Sequence, residues 1–317
     1  MHEQLIEKLQ KQIFGVLPSI IGKKCALMDA PYYHNIGDVL IWQGERTFFE
    51  GAGIDCVYTA SYQTCCYPSF EDDVTICFNG GGNIGDLYPE HGTFLLKLIE
   101  TYPNNRFVIF PQTVHFEKIE NAEYFFSQLN KHSNIYFCAR DAQVAEYLHL
   151  FMNRVLLLPD MAFCVDRNYL MKKCLPTNKG KLALVRTDVE SSTKNISYTA
   201  DLVSDWPVFA HSFRKSTFFN KLLYRLSLVN EGAIMRRLGF IWDWFAVQIF
   251  RNSMIEEGIR FISPFAEVET ERLHGAMLSI LLGKKVTIRD NSYGKNKAFF
   301  ETWLQREDGI SLRAAKD

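Results

Sequence analysis

The chain lacks several features that would mark common classes of protein. It has no run of the roughly 18–20 apolar residues that a membrane-spanning helix needs, and its first residues lack the apolar stretch of a signal peptide. Positive and negative charges nearly cancel, with 35 Lys and Arg against 36 Asp and Glu, which argues against a general nucleic-acid partner. We therefore expect a cytoplasmic protein that contacts a membrane, if at all, at the inner face of the cytoplasmic membrane.

Signatures of nucleotide and metal binding are missing too. Neither a GxGxxG fingerprint nor a GxxxxGK[ST] loop occurs, so NAD-dependent enzymes and simple NTPases lose support. The eight cysteines include no CxxC pair, and Cys65 and Cys66 are adjacent, which suits neither a zinc knuckle nor a redox pair. We interpret the cysteines as reduced and structural, and we expect no metal site and no tightly bound cofactor.

Short apolar runs alternate with helix-like stretches through most of the chain. The predicted strands are 24–28, 55–59, 74–78, 107–110, 135–139, 155–158, 182–186, 260–263 and 285–288. The predicted helices are 37–50, 92–100, 122–131, 143–150 and 276–282. This alternation is typical of βαβ units around a parallel sheet, and short right-handed connections favour a doubly wound layout. The sequence therefore predicts an α/β fold.

The length of 317 residues, with 47% hydrophobic content, favours two domains. A lysine-rich stretch at 172–181 has the character of a linker. We expect an N-terminal Rossmann-like domain over residues 1–175 and a C-terminal one over residues 176–317. Ligands of open α/β sheets bind at the carboxyl ends of the strands, so the two domains are expected to face each other across a cleft.

Residues 215–254 interrupt this pattern with closely interleaved aromatic and basic residues. Amphipathic helices of this composition suit the interface of an anionic bilayer. A buried helix pair that packs against the sheet, with its basic residues in water, explains the same pattern. Both interpretations stay open at this point.

The tetrapeptide Asn-Ile-Gly-Asp occurs twice, at 35–38 and 83–86, each time after a predicted strand. A glycine-rich turn in this position lets the backbone approach a ligand and exposes N–H donors. Asp38 and Asp86 could hydrogen-bond sugar hydroxyls, or one of them could act as a base. The alternative is a tight strand-to-helix crossover with no ligand.

Polar residues also follow the ends of three later strands. Gln112 and Thr113 end one strand, Arg140 ends the next, and Asp160 follows the one after that. Strand interiors here are apolar, so polar residues at successive strand ends indicate the lining of a cleft. Taken singly, each residue is equally explained as part of a turn or as a helix cap.

The segment 270–275 sets Arg272 two residues before His274, between a strand-like run at 259–263 and the helix predicted at 276–282. Arginine is a permanently charged fork that suits phosphate and carboxylate, and histidine moves protons near neutral pH. Helix N-termini bind anions as well. This pattern predicts a site that holds an anionic donor and transfers a proton. The alternative is a surface arginine beside a buried histidine.

Three further residues are candidates for the same site. Arg186 stands at the carboxyl end of the strand predicted at 182–186. Tyr293 and Lys295 follow the strand predicted at 285–288 and could contact a donor carboxylate or phosphate. An ordinary turn at 290–295 is the alternative.

Seven segments together resemble the polysaccharide pyruvyl transferase family of exopolysaccharide and capsule biosynthesis. They are Asn-Ile-Gly-Asp at 35–38, Gly-Gly-Gly-Asn-Ile-Gly-Asp-Leu-Tyr-Pro at 80–89, Pro-Gln-Thr at 111–113, Ala-Arg-Asp at 139–141, Leu-Pro-Asp-Met-Ala-Phe at 158–163, Arg-Leu-His-Gly at 272–275 and Asp-Asn-Ser-Tyr-Gly-Lys at 290–295. The resemblance implies two Rossmann domains arranged as in GT-B glycosyltransferases. It also implies transfer of pyruvate from phosphoenolpyruvate, the co-substrate, onto a sugar as a cyclic ketal, with release of phosphate.

Residue roles carried over from the resemblance divide the site in two. His274 would be the general acid/base, with Asp38 and Asp86 as candidate catalytic carboxylates. The donor side, in the C-terminal domain, would comprise Arg272, Arg186, Leu273, Gly275, Tyr293 and Lys295. The acceptor side, in the N-terminal domain, would comprise Asn35, Gly37, Asn83, Gln112, Thr113 and Arg140. The family often has Asp before its Arg-Leu-His-Gly segment, where this chain has Glu271.

Two other functions fit the same sequence. A GT-B glycosyltransferase that uses a nucleotide sugar would share the architecture, and fold alone does not separate the two. A non-catalytic scaffold of glycan assembly is the other alternative. If residues 215–254 contact a membrane, the expected acceptor is a lipid-linked oligosaccharide.

Overall fold

A computed structural model describes residues 1–187, 198–207, 234–290 and 294–313. Its first sheet has seven parallel strands in the order β2-β1-β3-β5-β6-β7, with β4 beside β5. The strands are β1 (Lys24–Met28), β2 (Asp55–Ala60), β3 (Val74–Phe78), β4 (Gly81–Gly85), β5 (Phe107–His115), β6 (Ile135–Ala139) and β7 (Val155–Leu157). Every residue of β3 is buried, as expected for a parallel strand covered on both faces.

The second sheet has five parallel strands in the order β12-β11-β10-β8-β9. They are β8 (Lys179–Leu184), β9 (Leu202–Ser204), β10 (Phe265–Thr270), β11 (Lys285–Arg289) and β12 (Ile310–Arg313). The parallel, doubly covered α/β architecture predicted from the sequence is confirmed.

The helices that cover these sheets are α1 (Glu3–Ile21), α2 (Ile36–Ala52), α3 (Pro89–Thr101), α4 (Ile119–Leu129), α5 (Ala142–His149), α6 (Arg167–Met171), α7 (Ile234–Phe245), α8 (Arg251–Ile262), α9 (Leu273–Leu281) and α10 (Lys295–Trp303). A 3₁₀ turn spans Met161–Cys164, and a π-helical segment, Ala246–Phe250, joins α7 to α8. Helix α1 buries Leu5, Leu9, Ile13 and Leu17, which recur every four residues and so form one apolar stripe. The amphipathic start of the chain is therefore a helix that packs into the core.

The strand predicted at 260–263 is wrong. Residues 260–262 lie in the last turn of α8, Ser263 is its C-cap, and the strand that precedes α9 is β10. The helix buries Met254, Ile255, Ile259 and Ile262, so an apolar stripe with helical spacing runs directly into the short apolar run that resembled a strand. A second difference concerns Gly81–Gly85, predicted as a turn, which forms β4 and pairs with β5.

One apolar core joins the two sheets. It contains Cys77 and Val108 of the first sheet together with Leu182 and Val268 of the second. Helix α2 lies between them and packs on the 3₁₀ turn, on α8 and on α9. A Cβ on Gly44 would lie 1.8 Å from the carbonyl oxygen of Met161, so this packing requires glycine.

The N-terminus also links the two regions of the chain. His2 Nε2 lies 2.9 Å from the carbonyl oxygen of Lys284, next to β11. Glu3 accepts a hydrogen bond from Arg167, whose Nε donates to the carbonyl of Leu281 at 3.3 Å. The first residues of the chain thus contact the region of the second sheet.

The aromatic and basic stretch at 215–254 is described only from residue 234 onwards. Its π-helical segment buries Ala246 and Phe250, whereas four large apolar side chains point into solvent. These four are Phe240, Ile241, Trp244 and Ile249. The described part of the segment therefore has one buried face and one exposed apolar face, and both interpretations stay predictions. Within the described ranges, no helix combines the length and the apolar character needed to cross a membrane.

Candidate active site

The N-termini of α2 and α9 lie close together. Helix α2 is capped by Asn35, whose Oδ1 accepts a hydrogen bond from Gly37 N at 3.0 Å. Helix α9 begins at Leu273, so His274 lies in its first turn. A Cβ on Gly37 would lie 2.6 Å from His274 Nδ1, so only glycine permits this approach. The positive ends of both helix dipoles converge here, which favours an anion.

A fully buried carboxylate anchors His274. The Nε2 atom of His274 lies 3.3 Å from Oδ2 of the buried Asp160. The same oxygen accepts a hydrogen bond from Arg140 Nη1 at 3.1 Å. Burial alone would raise the pKa of Asp160, but the charges of His274 and Arg140 hold that pKa below its ordinary value. Asp160 is therefore ionised near neutral pH, and it orients the imidazole.

A second buried carboxylate holds Arg272. Asp205 accepts from Arg272 Nε and, at 2.6 Å, from Arg272 Nη2, which makes a bidentate pair. Thr187 adds two further donors to Asp205, its N–H at 3.0 Å and its hydroxyl at 2.8 Å. Trp206 donates its N–H to Asp205 at 2.7 Å. The guanidinium of Arg272 is therefore fixed in place.

Asp38 connects the two Asn-Ile-Gly-Asp segments. Its Oδ2 accepts hydrogen bonds from Asn35 Nδ2 at 2.7 Å and from the Tyr33 hydroxyl at 2.9 Å. Asn83 Nδ2 donates to the same hydroxyl at 2.8 Å. Burial raises the pKa of Tyr33 well above its ordinary value, so this hydroxyl stays protonated and donates to Asp38.

These networks surround a polar cavity of about 100 Å³. Three arginines and one lysine line it, together with His274 and Asp38. The predicted site residues that line the cavity are Asn35, Gly37, Asp38, Asn83, Arg140, Arg186, Arg272, Leu273, His274 and Lys295. Both sheets contribute to it, and its guanidinium and ammonium donors suit a small anion with more than one acidic group.

Arg186 and Lys295 enter the cavity from the second sheet. Arg186 lies two residues after β8 and is half-buried. Lys295 is the first residue of α10, and the next residue, Asn296, donates hydrogen bonds to the carbonyls of Glu271 and Arg289 at 2.6 and 2.7 Å. The buried Asn296 therefore fixes the start of α10 against the loop that carries Arg272.

Four predicted site residues lie outside the cavity. The Asp86 carboxylate accepts from Glu117 N at 2.7 Å and from Asn121 Nδ2 at 3.1 Å. Gln112 is buried and donates to the carbonyl of Asn79 at 2.6 Å, and Thr113 accepts from Arg140 Nη2 at 2.7 Å. Gly275 packs against Leu184, whose Cδ2 would lie 2.5 Å from an added Cβ. Tyr293 lies outside the described residues.

The sequence did not assign roles to several residues that build the site. Asp160 stood out at a strand end, but nothing in its position indicated contact with His274. Asp205 and Trp206 follow β9, a strand of three residues that leaves no recognisable pattern. Tyr88, which lines the cavity, stood within the glycine-rich segment 80–89 without a role.

The chain is similar in sequence to known proteins. The family model described as polysaccharide pyruvyl transferase matches residues 35–293. EpsO of Bacillus subtilis, named as a pyruvyl transferase, is 32% identical over 309 residues, which cover 94% of this chain and 91% of EpsO. Pyruvyl transferase 1 of Schizosaccharomyces pombe is 25% identical and is covered over 72% of its length, with 92% of this chain matched.

A solved structure shows the same fold. The crystal structure of an uncharacterized protein of Klebsiella pneumoniae superposes with a TM-score of 0.65 at 21% identity. The superposition covers 96% of this chain and 98% of the Klebsiella protein.

Proposed function

The chain belongs to the polysaccharide pyruvyl transferase family, and from this premise we propose that it transfers pyruvate from phosphoenolpyruvate to a sugar of a surface-polysaccharide precursor. The product is a cyclic ketal, and phosphate is released. Residues 1–175 supply the acceptor side and residues 176–317 the donor side, in a GT-B-like arrangement. The observation that carries the proposal is the cavity in which His274 lies among three arginines and a lysine.

The donor is proposed to lie among the cationic side chains of this cavity. Phosphoenolpyruvate carries a phosphate and a carboxylate on the same carbon, so it requires several positive groups in a small volume. Arg272, fixed by Asp205, presents a pre-oriented guanidinium, and Arg186 and Lys295 approach from neighbouring loops. The N-termini of α2 and α9 add their dipoles to the same charge.

His274 is proposed to donate a proton to C3 of the donor. The ionised Asp160 holds a proton on His274 Nε2, which leaves Nδ1 as the nitrogen that exchanges protons. The absence of a side chain at Gly37 lets the His274 ring lie close to the start of α2. Protonation of C3 makes C2 electrophilic, and a first sugar hydroxyl then bonds to C2.

The remaining steps release phosphate, close the ketal ring and remove one proton from each of the two sugar hydroxyls. The bond from C2 to the phosphate oxygen breaks, and a second hydroxyl of the same sugar bonds to C2 and closes the ketal. Asp38 accepts the proton of the first hydroxyl and passes it to the departing phosphate. The proton of the second hydroxyl returns to His274 and restores its starting state. The donated bonds from Tyr33 and Asn35 orient Asp38 for this role.

The experiment that tests the proposal is incubation of purified protein with phosphoenolpyruvate and galactose-type acceptors, both free and lipid-linked. We expect acceptor-dependent phosphate release and an acceptor mass gain of one pyruvate less one water. His274→Ala should lower turnover by roughly 10²–10⁴-fold. His149→Ala, which changes an exposed histidine on α5, is the matched control and should leave turnover unchanged. Normal turnover in folded His274→Ala protein would contradict the acid/base role.

Donor binding separates this proposal from the alternatives. A thermal shift with phosphoenolpyruvate, weakened in Arg186→Ala, supports the pyruvyl transferase. A shift with nucleotide sugars instead would favour a glycosyltransferase, and no shift with either donor would favour a scaffold.

We further propose that the acceptor is lipid-linked and that α7 contacts the inner face of the cytoplasmic membrane. The exposed Phe240, Ile241 and Trp244 on one side of α7 support this contact, because aromatic side chains favour the bilayer interface. Co-sedimentation with anionic vesicles, compared with a Phe240→Ser/Trp244→Ser variant, tests it. Equal sedimentation of the two proteins would contradict it.

A further inference from the structure

A second cavity of about 500 Å³ adjoins the polar cavity that contains His274. The two share four lining residues, Asn35, Asp38, Asn83 and Tyr88. The volume lies within the range of small-molecule sites. A ligand in the second cavity would therefore reach Asp38, the proposed base, whereas His274 and the arginines line only the first cavity.

The two cavities differ in charge. None of the described residues that line the second cavity is Arg or Lys, and its ionisable lining includes the carboxylates of Asp38 and Glu90. Its other walls are aromatic, formed by Tyr33, Tyr62 and Tyr88. Aromatic faces with nearby hydrogen-bonding groups suit a neutral polyol whose C–H face packs on a ring. The difference in lining therefore favours an anion in the first cavity and a neutral ligand in the second.

A buried Asp–His pair lies in the wall of the second cavity. Asp29 directly follows β1, at the edge of the sheet where ligands bind, and its Oδ2 lies 2.7 Å from His91 Nδ1. Both residues are buried, and Asp29 Oδ1 accepts no hydrogen bond from any described residue. Asp29 also has a left-handed backbone, with φ of 67°, which is unfavourable for a residue with a side chain.

His91 is enclosed by the aromatic walls. Its ring centroid lies 5.2 Å from that of Tyr62, 6.2 Å from that of Tyr33 and 6.4 Å from that of Tyr88. Asp29 forms a hydrogen bond with Nδ1 of His91, and no described residue forms one with Nε2 of His91. The ring orientation is thus fixed by one nitrogen while the other is available to a ligand.

We propose that the second cavity is the subsite for the acceptor sugar and that His91, positioned by Asp29, hydrogen-bonds a hydroxyl of its pyranose ring. The pyranose ring lies against Tyr62 and Tyr88, and a neighbouring hydroxyl of the sugar points toward Asp38. The inference rests on the proposed function for its acceptor, but it assigns residues that the reaction itself does not require. It makes His91 a determinant of acceptor affinity that does not affect the donor.

Ligand-observed NMR with methyl glycosides of glucose, galactose and mannose tests this subsite without turnover. At least one methyl hexopyranoside should bind the wild-type protein, with affinity about 10-fold weaker in His91→Ala because a hydrogen bond to a charge-assisted partner is lost. The thermal shift with phosphoenolpyruvate should be the same in both proteins. Asp29→Asn should weaken sugar binding in the same direction through loss of the fixed ring orientation.

His132→Gln is the matched control, since His132 is another buried histidine of the first sheet region but lines neither cavity. If His91→Ala does not fold, Tyr62→Ala provides the same comparison through loss of the ring that packs on the sugar. Absence of pyranoside binding in the wild type, or equal binding in the variant, would overturn the subsite. Pyranoside binding without any phosphoenolpyruvate shift would instead count against the proposed function and leave the subsite standing.

Discussion

The tetrapeptide Asn-Ile-Gly-Asp occurs twice in this chain, and the two copies have different structures. At 35–38 it begins helix α2, with Asn35 as the cap and Asp38 in the cationic cavity. At 83–86 it ends strand β4, and Asp86 turns away to accept from Glu117 N. Four identical residues therefore give one carboxylate that lines the cavity and one that lies outside it.

The glycines explain how the copies diverge. Gly37 has helical backbone and lies beside the ring of His274, whereas Gly85 has a φ of 139° and lies against the carbonyl of His115. In the first copy glycine makes room for a functional side chain, and in the second it makes room for a neighbouring strand. The surrounding backbone, and not the tetrapeptide, decides the role of each residue.

The largest effect is expected when the two aspartates are exchanged for amides. Asp38→Asn should lower turnover by roughly 10²–10⁴-fold, because the amide accepts the bonds from Tyr33 and Asn35 but does not take a proton. Asp86→Asn should leave turnover close to that of the wild type. Phosphate release at saturating donor measures both. Equal losses in the two variants would mean that the second copy also serves the reaction.

Alanine at the two glycines should separate activity from stability. In Gly37→Ala the new Cβ displaces His274, so turnover should fall at least about 10-fold while the free energy of unfolding changes little. In Gly85→Ala the Cβ would lie 1.8 Å from the carbonyl oxygen of His115, at a φ that L-residues avoid, and about 3 kcal/mol of stability should be lost. Urea unfolding and phosphate release on both proteins give the comparison. A lower stability of Gly37→Ala than of Gly85→Ala would contradict this separation of activity from stability.

The smallest effect is expected at the two asparagines. Asn35→Ala removes the cap of α2 and should cost about 1 kcal/mol of stability. Asn35→Ser should restore the cap but not the bond to Asp38, so stability returns and turnover stays reduced. Asn83→Ala loses one bond to Tyr33, worth about 0.5–1.5 kcal/mol. A serine variant with full turnover would show that the bond from Asn35 to Asp38 is dispensable.

Much of the first sheet could be predicted because its strands are buried on both faces. Val74–Phe78 and Ile135–Ala139 are short apolar runs between clear turns, and they are strands in the structure. The run at 259–263 has the same appearance but continues a helical stripe that begins at Met254. Over five residues, an apolar run does not distinguish a strand from the end of a buried helix.

The site was predictable where its residues stand at boundaries between strands and helices, as Asp38, Arg140 and His274 do. The carboxylates behind them were not, because Asp205 lies 67 positions from Arg272 and Asp160 lies 114 positions from His274. No local sequence pattern identifies two residues that pair over such distances along the chain. Asp86 shares its motif with Asp38, yet its hydrogen bonds to Glu117 N and Asn121 lie outside the cavity, and the motif alone did not indicate this difference.

The apolar core shared by the two sheets, with α2 packed between them, governs how this chain loses its structure. Neither half can melt without exposing the apolar surface of the other, so a calorimetric scan is expected to show one endotherm, not two. A truncated chain that stops at residue 175 should aggregate, because half of that core would face water. Two separate endotherms would show that the halves are independent folding units. If they are not, a substitution in the core of either half changes the stability of the whole chain, and with it the cavity that both sheets line.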